Sequence, residues 1–220
     1  MACLNAVVSD AVDRRERAAF GQDASFERAT VSIPVFAPLR HADGVVLCDL
    51  AVVDPAAMAE YHTRNRAHLA DAMPARPPAF YTTDGWRRLC IAYRTAVPGE
   101  RELQLVLLME SQVIGTLGFT QIQRGAFQAC HMGYGLDAQQ QGRGLIHWAA
   151  TQGIAFVFEA LGLHRVMAQY VPENQRSARV LQRLGFQVEG QARRYLQLNG
   201  VWRDHVLTSL LREDGFPVEE

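Results

Sequence analysis

An apolar run from Ala129 to Leu136 stops at Asp137, and a helical pattern begins within a few residues. That pattern spans Gly142 to Leu161 with Leu145, Trp148, Ala149, Ala155 and Phe158 on its apolar positions, and Gly162 ends it. A β-branched run, His164 to Val171, follows. Strand, helix and strand in that order require a crossover, so the two strands should lie parallel in one sheet. The hinge is Gln139-x-x-Gly142-x-Gly144. Glycines let the backbone turn sharply and let its N–H groups approach a ligand, and a helix start leaves several N–H groups without intrahelical partners. The turn is therefore either an anion site suited to a phosphate or pyrophosphate, or a plain tight turn with a helix cap. No Lys-Ser or Lys-Thr follows Gly144, which excludes the Walker pattern, and Gln139 replaces the first glycine of the dinucleotide fingerprint.

The rest of the chain frames this unit. Residues 1–30 read as an N-terminal arm, 31–214 as one domain and 215–220 as a C-terminal tail. Val45–Val53 reads as the first core strand, and Asp54-Pro55 as a helix start, with the helix running to about Leu69. Met73–Pro78 breaks it, and a second helix covers about Thr83 to Tyr93. Glu102–Glu110, Gln112–Gln123 and Phe127–Leu136 form an antiparallel meander leading into the glycine turn. Asn174–Leu184 reads as a short helix closed by Gly185, and Phe186–Tyr195 and Val201–Leu210 as a hairpin about Asn199-Gly200.

A 49% apolar fraction suffices for a sizeable core, and a net charge of −1 provides no field for nucleic acid or an anionic membrane. No apolar run approaches a membrane span. The four scattered cysteines, Cys3, Cys48, Cys90 and Cys130, read as reduced thiols of a cytoplasmic protein. The seven histidines show no metal-ligand spacing, so no metal site is expected.

The Gln139–Gly144 signature resembles that of the GCN5-related N-acetyltransferases (GNAT), and further stretches resemble the RimJ/RimL-type branch that acetylates ribosomal-protein N-termini. These are Asn65-Arg-x-His-Leu69, Arg124-Gly-x-Phe-x-Ala-Cys130, His164-Arg-Val-Met-Ala168, Asn174-x-Arg-Ser177, Arg183-Leu-Gly-Phe186 and Asn199-Gly-x-Trp-Arg-Asp-His205. The resemblance covers about residues 45 to 212. It implies an α/β fold with a central, mostly antiparallel sheet, in which a bulge in the strand before the glycine turn splays that strand from its parallel neighbour. Acetyl-CoA would lie in the wedge.

The resemblance also implies roles. Gln140, Gln141, Gly142, Arg143, Gly144 and Leu145 would meet the pyrophosphate. Gly135 and Leu136 would pair the pantetheine arm, and an N–H near Tyr134 would polarise the thioester carbonyl. Asn174 would hold the CoA arm, cap a helix, or do both. Arg176 and Arg179 either meet phosphate or are solvated. Ser177 would protonate the leaving thiolate, or bond its own backbone. His131 is a candidate base at the place where other branches carry glutamate, or a buried structural histidine. The glutamate that RimL-like members carry before the hairpin turn is absent, with Leu196 in its place. Asn65 and Tyr195, in segments flanking the wedge, are candidates for the acceptor. The expected reaction is direct acetyl transfer to a primary amine, favouring a ribosomal protein's terminal alanine or serine. A small-molecule amine, and a non-catalytic acetyl-CoA sensor, are the alternatives. The expected assembly is a monomer or homodimer.

Overall fold

The computed structural model describes residues 34–96 and 99–214. The N-terminal arm, the C-terminal tail and the Pro98 half of the Pro98-Gly99 turn lie outside the described residues. One eight-stranded sheet runs in the order β1-β2-β3-β4-β5-β6-β8-β7. Its strands are β1 (Leu39–Arg40), β2 (Val46–Asp49), β3 (Leu103–Met109), β4 (Gln112–Gln123), β5 (Ala129–Leu136), β6 (Arg165–Tyr170), β7 (Gln187–Leu198) and β8 (Val201–Leu211). The helices are α1 (Pro55–Arg64), α2 (Arg66–Leu69), α3 (Thr83–Thr95), α4 (Leu145–Glu159) and α5 (Gln175–Arg183). Every neighbouring pair is antiparallel except β5 and β6, which are joined through α4.

Two apolar clusters cover the two faces. On one, α4 and α5 pack against Leu47, Leu105, Leu117, Phe119, Cys130, Met132 and Val166. On the other, α1 and α3 pack against Cys48, Val106 and Val113 around Tyr61 and Trp86. The described cysteines, Cys48, Cys90 and Cys130, are all buried. Helix α4 comes unusually close to the sheet. A Cβ on its Gly153 would sit 2.7 Å from the Phe119 ring and 2.9 Å from Leu117 Cδ2.

Three expectations are corrected. The helix from Asp54-Pro55 does begin with the Asp54 carboxylate accepting from Ala56 N–H, at 2.8 Å. It does not run unbroken to Leu69, because Asn65 leaves helical geometry (φ −96°, ψ 9°) and folds its side chain back onto the Tyr61 carbonyl. The first core strand is shorter than Val45–Val53: after Asp49 the chain tightens into a 3₁₀ turn, Leu50–Val52, whose Ala51 N–H donates to the Asp49 carboxylate. The bulge beside the wedge belongs to β4 and not to β5. Thr120 pairs His131 and Gln123 pairs Ala129, so Gln121 and Ile122 of β4 oppose Cys130 alone, and Gln121 takes φ 52°. An extra residue bends the strand that carries it and increases local twist.

Candidate active site

β5 and β6 pair only at Ala129–Arg165, Cys130–Val166 and His131–Met167. Beyond His131 each strand keeps its outer partner: β5 stays with β4 as far as Leu136, and β6 with β8 as far as Tyr170. The inner edges therefore part while the outer edges hold, which makes a wedge inside a continuous sheet.

At the mouth of the wedge, Asp137 ends β5 and caps a 3₁₀ turn, Ala138–Gln140, by accepting from Gln139 N–H at 3.0 Å. Gly142 (φ 79°) and Gly144 (φ 75°) both take left-handed conformations, and α4 starts at Leu145, three residues later than the glycine spacing implies. A Cβ at either glycine would meet nothing within 4 Å. Left-handed backbone conformation, not internal crowding, is therefore what favours glycine there. The first N–H groups of the fifteen-residue α4 face this turn without intrahelical partners.

A pocket of about 680 Å³ occupies the wedge, within the size range of small-molecule sites. Tyr134, Gly135, Leu136, Gln141, Gly142, Gly144 and Leu145 line one side, and Asn174, Arg176, Ser177 and Arg179 the other. Gln140 and Arg143 turn away: the Arg143 guanidinium bonds the Gln140 amide oxygen and forms an ion pair with Asp43 at 2.7 Å. Arg183 and His147, which sequence reasoning missed, also line the pocket, as do His68, Leu69, Asp71 and Ala72 of the segment expected to flank the wedge. Arg176, Arg179 and Arg183 recur at helical spacing on α5, so the third arginine was legible as part of one face. Among the described residues, Asp71 is the single carboxylate in the lining. Gln141 spans the mouth, contacting His68 Nε2 at 2.7 Å and accepting from Arg176 at 2.7 Å.

The inner end holds a hydroxyl pair. Tyr134 Oη lies 2.8 Å from Ser177 Oγ and 3.3 Å from the Ser177 carbonyl. Ser177 is 7% exposed, and its N–H donates to Asn174 Oδ1 at 3.0 Å, so the cap of α5 also fixes the serine. Burial pushes the Tyr134 phenol up to about 12, although the Ser177 bond opposes the shift. At neutral pH this pair holds its protons and can donate one.

His131 is three residues from Tyr134 on the same strand, so their side chains point to opposite faces. It does not line the pocket. Its Nδ1 lies 3.3 Å from Gln169 Oε1; with Nδ1–H donating, Nε2 keeps its lone pair. Burial lowers its pKa, the Gln169 bond acting against that, and so the ring is neutral near pH 7. The Cys130 thiol, on the face opposite His131, is buried and pushed up to about 12 by desolvation.

Asn65 does not reach the pocket. It is 2% exposed, its Nδ2 donates to the Tyr61 carbonyl (3.1 Å) and to Asp137 Oδ2 (3.2 Å), and its Oδ1 accepts from Ala138 N–H (3.2 Å). Arg64 completes the group with a 2.9 Å ion pair to Asp137. Burial raises the Asp137 pKa, but the Gln139, Asn65 and Arg64 bonds outweigh it and hold the carboxyl below its ordinary value. Asn65 thus ties the α1–α2 break to the start of the glycine turn, with every polar atom of its amide engaged. Tyr195 also lies outside the pocket lining, its ring 5.5 Å from that of His205 on β8. The two segments expected to flank the acceptor do touch: Asn199 of the hairpin turn donates to the Ala70 carbonyl at 2.6 Å. Among the described residues, no group of three or more His, Cys, Asp or Glu side chains is placed to hold a metal ion, and no helix is long and apolar enough to cross a membrane.

Comparison with known proteins gives a consistent picture. The acetyltransferase (GNAT) domain family matches residues 36–187. The chain is 38% identical over 162 residues to the [ribosomal protein uS5]-alanine N-acetyltransferase of Escherichia coli, covering 73% of this chain and 84% of that protein. Among solved structures it resembles ribosomal-protein-S5-alanine acetyltransferase from Vibrio fischeri, with TM-score 0.77, 36% identity, and coverage of 83% of this chain and 100% of that one. It also resembles Mycobacterium smegmatis RimJ in complex with CoA-disulfide, with TM-score 0.74, 28% identity, and coverage of 83% and 90%.

Proposed function

Because this chain belongs to the acetyltransferase (GNAT) domain family and is an acetyl-CoA-dependent N-acetyltransferase, we propose that its acceptor is the α-amino group of a protein, most specifically a ribosomal protein with terminal alanine or serine. The single observation that carries the chemistry is the wedge beyond His131, closed at its inner end by the Tyr134–Ser177 pair and at its mouth by the Gly142–Gly144 turn. The identity to the uS5-alanine enzyme, extending over most of that protein, favours the acceptor.

In this reading the N–H groups at the start of α4, with Arg176, Arg179 and Arg183 opposite, bind the CoA phosphates. The parted edge at Gly135 and Leu136 pairs the amide-bearing arm as it would another strand. A backbone N–H near Tyr134 polarises the thioester carbonyl. The amine attacks that carbonyl carbon directly. Cys130, buried and protonated, offers no nucleophile for a covalent intermediate. As the C–S bond breaks, the Tyr134–Ser177 pair supplies the proton the thiolate takes up. The proton lost by the attacking nitrogen passes to His131 or to water. An α-amine, with pKa near 7.7–8.0, is about a tenth neutral at pH 7, so a weak base suffices. A cytoplasmic setting suits both reduced thiols and ribosomal acceptors.

The test is acetyl-CoA turnover against a panel of N-terminal peptides and small amines. Alanine- or serine-terminal peptides should give the highest kcat/KM. Preference for a polyamine or free amino acid would replace the protein acceptor. A melting-temperature shift with acetyl-CoA but no thiol release from any amine would make the domain a sensor.

A further inference from the structure

Residues paired across a sheet point to the same side of it, which tells the two faces of the wedge apart. Tyr134 of β5 faces α4 and α5, as do Cys130 and Met132, and the pocket opens on that face. His131 points to the other face, the one on which Cys48 and Val106 lie under α1 and α3. A cofactor lying against Tyr134 and Ser177 fills the first face, so an acceptor amine meets the thioester carbonyl between the parted edges from the second. The leaving sulfur then stands beside the hydroxyl pair and the attacking nitrogen on the side of His131.

Gln169 lies two residues past Met167, the last position of β6 paired with β5, where the edges have begun to part. It shares the face of His131, is 4% exposed, and sets its Oε1 3.3 Å from His131 Nδ1. A carbonyl oxygen only accepts, so this contact requires the proton on Nδ1 and leaves the lone pair on Nε2. The His131 ring is half-buried and its Nε2 is not sealed from that face. Thr120 of β4, Arg165 and Met167 of β6, and Arg203, His205, Leu207 and Ser209 of β8 point to the same side. Arg165 and Arg203 are paired with Glu189 and Glu173, and burial keeps His205 neutral near pH 7. Gln169 therefore governs the His131 ring without a competing unpaired charge among these residues.

We propose that Gln169 is a positioning residue for acetyl transfer: it holds His131 in the Nδ1–H tautomer, so that Nε2 takes the proton of the attacking amine. The assignment rests on the acetyl-transfer reading and replaces its choice of His131 or water with His131. The amine lone pair forms the N–C bond, and the N–H proton passes to Nε2. The C–S electron pair leaves with sulfur, which takes a proton from the Tyr134–Ser177 pair, and solvent resets both sites.

The test compares Gln169→Glu and Gln169→Leu in the full chain. It reads the His131 tautomer by nitrogen NMR, acetyl-CoA affinity by calorimetry, and kcat/KM against pH. Glu keeps an acceptor at Nδ1 and adds a charge that favours the imidazolium, so the steepening of the acidic limb should move up by about one pH unit. Leu removes the acceptor and lets the proton settle on Nε2, so kcat/KM should fall at least about tenfold with acetyl-CoA affinity kept, and on the alkaline side the Glu variant should stay above it by that factor. A glutamine that only fills the sheet predicts the reverse order, because a buried carboxylate is costly and an apolar residue of similar shape is tolerated. A fully active Leu variant beside a crippled Glu variant would overturn the assignment, as would a Leu variant that loses acetyl-CoA binding along with activity. An Nε2–H tautomer in the native chain would overturn it too, and so would a tautomer that follows Gln169 while both pH profiles stay native. A native chain that binds acetyl-CoA but releases no thiol with any amine would bring down the acetyl-transfer reading itself, so the two failures are distinguishable.

Discussion

Replacing Asn65 by alanine tests whether the amide at the α1–α2 break serves architecture or the acceptor. Three side-chain bonds are lost. The Tyr61 carbonyl still accepts from Asn65 N–H at 3.0 Å, so that loss costs little. Asp137 keeps Arg64 and Gln139 N–H but loses one charge-assisted bond, and Ala138 N–H loses its acceptor; together these cost about 3 kcal/mol. In a domain of this size the melting temperature should fall by about 10 °C. Ala138 opens the turn that leads to Gly142, so acetyl-CoA affinity should fall as well, although Asn65 lines no part of the pocket. Denaturant unfolding gives the first quantity and calorimetry the second. Unchanged stability and CoA affinity, with only a raised peptide KM, would refute the structural role and restore Asn65 to the acceptor site.

Three further outcomes follow from the geometry. Gly142→Asp adds left-handed strain of about 1 kcal/mol and puts a carboxylate on the ligand side of the turn, so acetyl-CoA binding should weaken at least about tenfold while the fold survives; an unchanged Kd would move the phosphate site elsewhere. Ser177→Ala and Tyr134→Phe should each lower kcat by about a hundredfold with small changes in KM, and the double variant should be no worse than the poorer single one, since coupled groups act as a unit; multiplying losses would break the pair into independent roles. If His131 is the base, kcat/KM should fall with a slope of one below the pKa of the acceptor amine, and steepen to two only below pH 6.5, because burial holds the imidazole under its ordinary value. His131→Gln should keep the first limb and lose the steepening, and an identical profile would leave water as the base.

Periodicity carried much of this architecture because the relevant patterns are local. The Asp54-Pro55 start, the Asn199-Gly200 turn and the parallel β5–β6 pair all follow from residues within a few positions or from one crossover. The misread features depend on distant partners. Asn65 breaks a helix because Asp137, seventy-two residues away, accepts its amide; nothing beside Asn65 announces that. The bulge falls in β4 because of register with β5, a property of two strands together. Ser177 was legible through its Asn174 cap spacing, whereas its contact with Tyr134 joins strand to helix across the wedge. The His131–Gln169 contact likewise joins β5 to β6 across 38 residues, each ordinary in its own stretch.

Gly153 shows how a residue remote from the reaction sets its tolerances. Glycine inside a helix costs roughly 0.5–1 kcal/mol against alanine, and here that sacrifice lets α4 settle onto Phe119 and Leu117 with no methyl group between them. The helix works as a strut whose standoff from the sheet is fixed at its midpoint, while its working end at Leu145 lies about 12 Å away along the axis. A shim one carbon thick at the midpoint would lift that end relative to the strand edge facing it. Catalytic alignment tolerates displacements of about 0.5 Å, so the calibration of the site is written partly in a hydrogen atom that touches no substrate.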